Sequence, residues 1–137
     1  MIQRMSFNSI FVTDHEQAID FYVGKLGFEL TADQSLPGGN RWVTVRPKGQ
    51  AESQLILYKP SAGKKLETAD VERIAELMKK GAFGAGVFET ADCRGTYAEL
   101  KARGVEFSSP PKDQFYGVEA ILCDPFGNWF SLTQRNQ

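Results

Sequence analysis

Residues 12–28, VTDHEQAIDFYVGKLGF, decide how this chain is read. Asp14 offers a helix N-cap, because its short carboxylate can accept from the unpaired N–H groups of a first turn. Behind it Ala18, Phe21, Tyr22 and Leu26 recur at helical spacing, and Gly27 can take the left-handed conformation that ends a helix. The stretch therefore predicts a capped helix with one apolar face, released into a short strand at Phe28-Glu29-Leu30.

Outward on the N-terminal side, residues 6–12, SFNSIFV, alternate. Phe7, Ser9 and Phe11 fall on one face, and Asn8, Ile10 and Val12 on the other, as in a strand covered on both sides. On the C-terminal side a Pro37-Gly38-Gly39 turn precedes the period-two strand Arg41 to Arg46, and Gln54 to Tyr58, closed by Pro60, gives another. The order is strand, helix, then three strands.

The same grammar returns in the second half. Gly86 to Thr90 reads as a strand, Asp92 as a cap, Tyr97, Leu100 and Lys101 as positions along a helix, and Gly104 as its stop before Val105-Glu106-Phe107. Asp14 precedes Gly27 by thirteen residues and Asp92 precedes Gly104 by twelve, so the copies register with one residue of slack. Val118 to Asp124 and Trp129 to Gln134 supply two further strands around the tight reversal Pro125-Phe126-Gly127-Asn128. Between the copies Thr68 can cap a helix carrying Val71, Ile74, Leu77 and Met78 on one stripe, ended by Gly81. That stripe either packs within the chain or meets a second subunit. The expected organisation is one α+β domain: module one at residues 5–60, a connecting helix within 61–83, and module two at 84–134.

Composition excludes several classes of function. The 137 residues are 42% hydrophobic and 24% charged, which suits a folded domain with its own core. Sixteen basic and seventeen acidic residues are interleaved along the chain, so no basic face is expected for nucleic acid. No apolar run approaches the roughly 20 residues that span a bilayer, so no membrane partner is expected. Met1-Ile2-Gln3-Arg4-Met5 lacks the pattern of a secretory leader, which makes the cytoplasm the expected location. Cys93 and Cys123 form no CxxC motif and are expected as free thiols.

Two motifs at the ends of the duplication narrow the fold. Val12-Thr13-Asp14, Ala18-Ile19-Asp20-Phe21-Tyr22 and Leu26-Gly27-Phe28 at one end, and Asp124-Pro125-Phe126-Gly127-Asn128 with Phe130-Ser131-Leu132 at the other, resemble the opening and closing signatures of vicinal-oxygen-chelate proteins. That group holds the glyoxalase, bleomycin-resistance and extradiol dioxygenase-like proteins. The resemblance implies two βαβββ modules forming a curved mixed sheet, a half-barrel around a cavity, within a homodimer. It also implies that metal-dependent relatives carry four ligands there, one on the first and one on the last strand of each module, usually His, Gln or Glu. Such hard donors hold a divalent cation and leave positions open for substrate oxygens.

Carried over residue by residue, those four positions fall on Phe7, Ile56, Gly86 and Ser131. None is a usual ligand, and a one-residue slip would turn every side chain to the other face. No divalent metal or other cofactor is therefore expected. His15, the sole histidine, follows the cap and is expected near the surface, outside any metal site.

Projected inward, the alternation gives a cavity face of Phe7, Ser9, Trp42, Thr44, Arg46, Ile56, Tyr58, Gly86, Phe88, Trp129 and Ser131. Val43, Val45, Leu55, Leu57, Val87, Phe130 and Leu132 fall on the helix-covered side. A tryptophan on a strand serves either as core or as ligand platform, so Trp42 and Trp129 are open in this respect. The loop Asp113-Gln114-Phe115-Tyr116-Gly117 stands where the resemblance places a lid; its Phe115 and Tyr116 either stack on a flat ligand or pack under the loop or at a dimer contact. Arg46 is a candidate for pairing with an anionic ligand or with a surface acid, and Glu119 for doing the same with a cation.

Three functions fit. The first is metal-free binding of a planar or amphipathic small molecule, as in bleomycin resistance. The second is a lyase or dioxygenase with an atypical or absent metal site. The third is a dimeric structural or regulatory module whose cavity is plugged by Phe7 and Ile56.

Overall fold

The start of the first helix is built as its sequence dictates. In the computed structural model, which describes all 137 residues, Asp14 is extended (φ −152°, ψ 116°) and its side chain accepts from the Gln17 N–H at 3.0 Å. Helix α1 (His15–Ile19) then widens through Asp20–Lys25, where Leu26 N–H reaches back five residues to the Phe21 carbonyl at 2.9 Å. Gly27 takes φ 76° and releases the chain into the next strand.

Two compact units follow from the duplication, Met1–Val71 and Glu72–Gln137. Unit one holds β1 (Phe7–Phe11), α1, β2 (Glu29–Ser35), β3 (Arg41–Arg46) and β4 (Gln54–Tyr58), in a four-stranded sheet ordered β1-β4-β3-β2. β1 lies parallel to β4, with Phe7 opposite Gln54 and Ser9 opposite Ile56; β3 lies antiparallel to both its neighbours. One face carries the buried Ile10, Val43, Val45 and Leu57, with Ala18, Phe21 and Tyr22 buried behind them. Each such large side chain withdrawn from water contributes roughly 1.5–3 kcal/mol before entropy is counted.

Unit two contains most of α2 (Thr68–Lys79), then β5 (Gly84–Glu89), α3 (Cys93–Ala102), β6 (Glu106–Gln114), β7 (Gly117–Cys123) and β8 (Trp129–Arg135), with sheet order β5-β8-β7-β6. Asp92 caps α3 by accepting from Gly95 N–H at 3.0 Å, matching Asp14. The reversal between β7 and β8 is held by Asp124, whose carboxylate accepts from the N–H groups of Phe126 and Asn128, both at 2.9 Å, and from the Asn128 amide at 2.7 Å. At Gly127 (φ 101°) a side chain would collide with the Met78 carbonyl at the end of α2, so glycine is needed twice over.

Four features differ from expectation, each for an identifiable reason. Thr68 is the first residue of α2 and not its cap; the Asp70 carboxylate reaches back to the Glu67 N–H at 2.8 Å, the reciprocal arm of a capping box. On the stripe of α2, Met78 is buried while Leu77 is 47% exposed. β6 runs on to Gln114 through Pro110-Pro111, tolerated because β6 is an edge strand with bulges beside Ser109. Residues 113–117 are consequently not an open loop but the tip of a hairpin: Gln114 pairs with Gly117 around the two-residue turn Phe115-Tyr116.

The fourth difference concerns register. A bulge between Gly84 and Gly86 shifts β5 by one residue, so that Val87 lies opposite Ser131 and Phe88 opposite Leu132. Phe88 stacks on the buried Phe130, on the helix-covered face, and a side chain at Gly86 would also point toward the Phe130 ring. The expected inward placement of Gly86 and Phe88 is thus corrected: Val87, 61% exposed, occupies the open face.

Candidate functional site

The uncovered face of unit one gathers the aromatic residues expected of it. Phe7 on β1 and Trp42 on β3 meet edge to face across β4, 5.7 Å between centroids and 62° between planes. Phe7 is 39% exposed and Tyr58 46%, while Trp42 is half-buried. An apolar aromatic surface left open in this way, beside polar groups, is the usual composition of a small-molecule site.

Trp42 stands between two hollows. One, about 690 Å³, is lined by Phe7, Trp42, Thr31, Thr44, Arg46 and Gln54 among others. The second, about 560 Å³, takes in Ser9, Ile56 and Tyr58 together with His15, Arg41 and Lys59. Phe7 lines the first of these hollows and Ile56 the second. Arg46 is paired through Nε with Glu29 at 3.0 Å. Thr44 and Thr31 share a hydroxyl hydrogen bond of 2.6 Å, and Thr31 donates to Gln54 Oε1 at 2.5 Å.

The rim of the second hollow is fixed by charge. Arg41 sets Nε and Nη2 on the two oxygens of Asp33, each at 2.8 Å, and Nη1 on Glu16 at 2.6 Å, tying β3 to β2 and to the start of α1. The hydrogen bonds from Arg41 hold the Asp33 carboxyl below its usual range. His15 is half-buried, and its Nε2 lies 2.9 Å from the Leu57 carbonyl, so it anchors α1 to β4 more firmly than a surface residue would.

Unit two presents a different open face. Trp129 is held on its own unit: its indole N–H donates to the Gly81 carbonyl at 3.0 Å and its ring covers Gly84, where a Cβ would come within 2.6 Å. Beside it lies a hollow of about 680 Å³ that also involves Cys123, Ile121 and Phe126. Further along the face Glu119 accepts from the Tyr116 hydroxyl at 2.5 Å and the Ser131 hydroxyl at 2.5 Å, and Ser131 is linked to Thr133 at 2.7 Å. The bond to Glu119 pushes the Tyr116 phenol above its ordinary value. Phe115, 93% exposed, projects from the hairpin tip, whose backbone is tied to Asn136 through the Phe115 and Tyr116 carbonyls.

The bond from Tyr116 to Glu119 joins two residues that the sequence marks only separately. Thr31 has no mark of its own in the sequence, because nothing local carries β2 past Leu30. Antiparallel pairing traced back from Trp42 through the Pro37-Gly38-Gly39 turn would have found Gln34 opposite Trp42 and extended the strand.

The donor set for a divalent metal can be tested on these residues. Phe7, Ile56 and Val87, which the shifted register of β5 sets opposite Ser131 in place of Gly86, offer no donor, and the Ser131 hydroxyl is already bonded to Glu119. No three His, Cys, Asp or Glu side chains converge anywhere in the chain. The residues present do not fit such a metal.

Two βαβββ sheets with these end motifs define a class, and the comparison with known families agrees. The description Glyoxalase/Bleomycin resistance protein/Dioxygenase superfamily matches residues 4–132, and the chain belongs to that superfamily. Its similarity to YetH of Bacillus subtilis (strain 168) is 33% identity, covering 98% of this chain and all of that one. Among solved structures UcmS2 shares 36% identity with a TM-score of 0.91, covering 98% of this chain and 99% of that one. TnmS3, an antibiotic binding protein from Streptomyces sp. CB03234, shares 32% identity with a TM-score of 0.76 and 98% coverage of both chains. No helix is long and apolar enough to cross a membrane.

Proposed function

We propose that this protein binds a planar or amphipathic small molecule without a metal, using the open aromatic face of unit one, and that it does so as a homodimer. The observation that carries the reading is the contrast between the two tryptophans. Trp129 is committed by its indole hydrogen bond to Gly81, whereas the Trp42 ring lies on an uncovered face between two hollows, supported edge-on by Phe7. A ring so braced loses little freedom when a flat ligand stacks on it, which favours affinity. The kinship with an antibiotic binding protein supports the same class of ligand.

The test joins elemental analysis with thermal melting, in the presence and absence of EDTA, of 8-anilinonaphthalene-1-sulfonate and of bleomycin. The expected result is no stoichiometric metal, a melting temperature indifferent to EDTA, and stabilisation by at least one aromatic ligand that Trp42→Ala abolishes. One metal per chain with a chelator-sensitive melting temperature would overturn the metal-free reading. Ligand stabilisation that survives Trp42→Ala would overturn the platform.

A further inference from the structure

The polar row beside Trp42 has a direction. Thr31 Oγ1 lies 2.6 Å from Thr44 Oγ1 and 2.5 Å from Gln54 Oε1. Thr44 is 1% exposed and has no other hydrogen-bond partner for its side chain. If Thr44 donates to Thr31 and Thr31 donates to the Gln54 amide oxygen, both hydroxyl protons find acceptors. With the amide turned over, Gln54 would donate to Thr31, and the Thr31 proton would be left with no acceptor in the protein. The 2.5 Å separation points the same way, since O–H···O bonds run to about 2.5 Å whereas N–H···O bonds begin near 2.7 Å.

The amide of Gln54 is therefore fixed with its oxygen inward, leaving the NH2 group as a donor. No polar side-chain atom of the protein is both buried and unpartnered, so this NH2 group, which has no protein partner, is accessible at the hollow that Phe7 and Trp42 line. Resting on the stacking reading above, we infer that Gln54 reads a carbonyl oxygen on the ring held by Trp42, and that Thr31 is the positioning residue that sets the polarity of this contact. The ligand class narrows from any planar molecule to planar aromatic ketones and related ring carbonyls.

Isothermal titration with 9-fluorenone-2-carboxylate and fluorene-2-carboxylate tests this, because the two share ring outline and charge and differ in the ketone. The wild-type protein is expected to prefer the ketone by about two- to tenfold, the worth of one net hydrogen bond. In Gln54→Met the ratio of affinities falls to about one. In Gln54→Glu, which keeps the bond from Thr31 but turns an acceptor outward, the ratio inverts. Thr31→Val frees the amide to rotate and lowers the ratio while both probes still bind, an effect that a purely structural threonine would not have on a ratio. If wild type binds both probes equally, the Gln54 assignment is overturned and the platform stands. If wild type binds neither, the platform fails and this inference fails with it.

Discussion

The phenyl rings of Phe88 and Phe130 stack face to face, 4.3 Å between centroids and 16° apart in plane, and so fix which side of β5 is covered. Phe88→Ala should cost about 2–3 kcal/mol, less than a fully buried phenylalanine because its ring is half-buried. Val87→Ala, on the open face, should stay within about 0.5 kcal/mol. Urea unfolding of both variants checks the assignment; the opposite ranking would restore the other register.

That register shows where reading the sequence stops. The helices were legible because each carries its own start and stop: Asp14 with Gly27, and Asp92 with Gly104, are local chemistry. β5 was misread because a bulge beside Gly84 has no fixed sequence mark, and a one-residue slip exchanges Phe88 for Val87. β2 and β6 were cut short for a related reason. Asp33-Gln34-Ser35 and Pro110-Pro111-Lys112 lack apolar alternation, and only pairing with β3 and β7 makes them strands. Within the candidate site, Phe7, Trp42 and Tyr58 were visible from parity alone, but the Thr44-Thr31-Gln54 row depends on β2 and was not.

The turn at Asp124 supplies a second test. Asp124→Ala would strand three donors in a buried turn and should cost about 3 kcal/mol. Gly127→Ala should cost at least about 2 kcal/mol, since it adds an unfavourable φ to a collision with the Met78 carbonyl. Gly39→Ala, at φ 80° with open space around it, carries only the conformational cost, about 1 kcal/mol. Melting temperatures of the three variants should fall in that order of severity, with Gly39→Ala the mildest.

Tyr116 gives a pH dependence with a definite sign. Its hydroxyl donates to Glu119, which favours the neutral phenol and raises its pKa above the ordinary 10.0. A raised folded-state value means that the stabilisation is fully present below pH 10.0 and is lost as pH climbs through the higher folded value. A near-ultraviolet difference titration, wild type minus Tyr116→Phe, should show a midpoint above 10.0. The variant should also lose part of the alkaline fall in stability. A midpoint at or below the ordinary value would show that the bond to Glu119 does not persist in solution.

The two thiols should separate cleanly by reactivity. Cys93 is fully buried at the start of α3, its Sγ lies 3.4 Å from the Leu132 carbonyl, and burial pushes its pKa up, so the nucleophilic thiolate is both scarce and shielded. Cys123 is half-buried and lines the hollow beside Trp129. Iodoacetamide should therefore modify one thiol quickly in the native protein, and Cys123→Ser should abolish that phase. The Cys93 reaction should wait on opening of unit two and accelerate with urea. Fast labelling in Cys123→Ser would mean that the packing of α3 on β8 is looser than the structure shows.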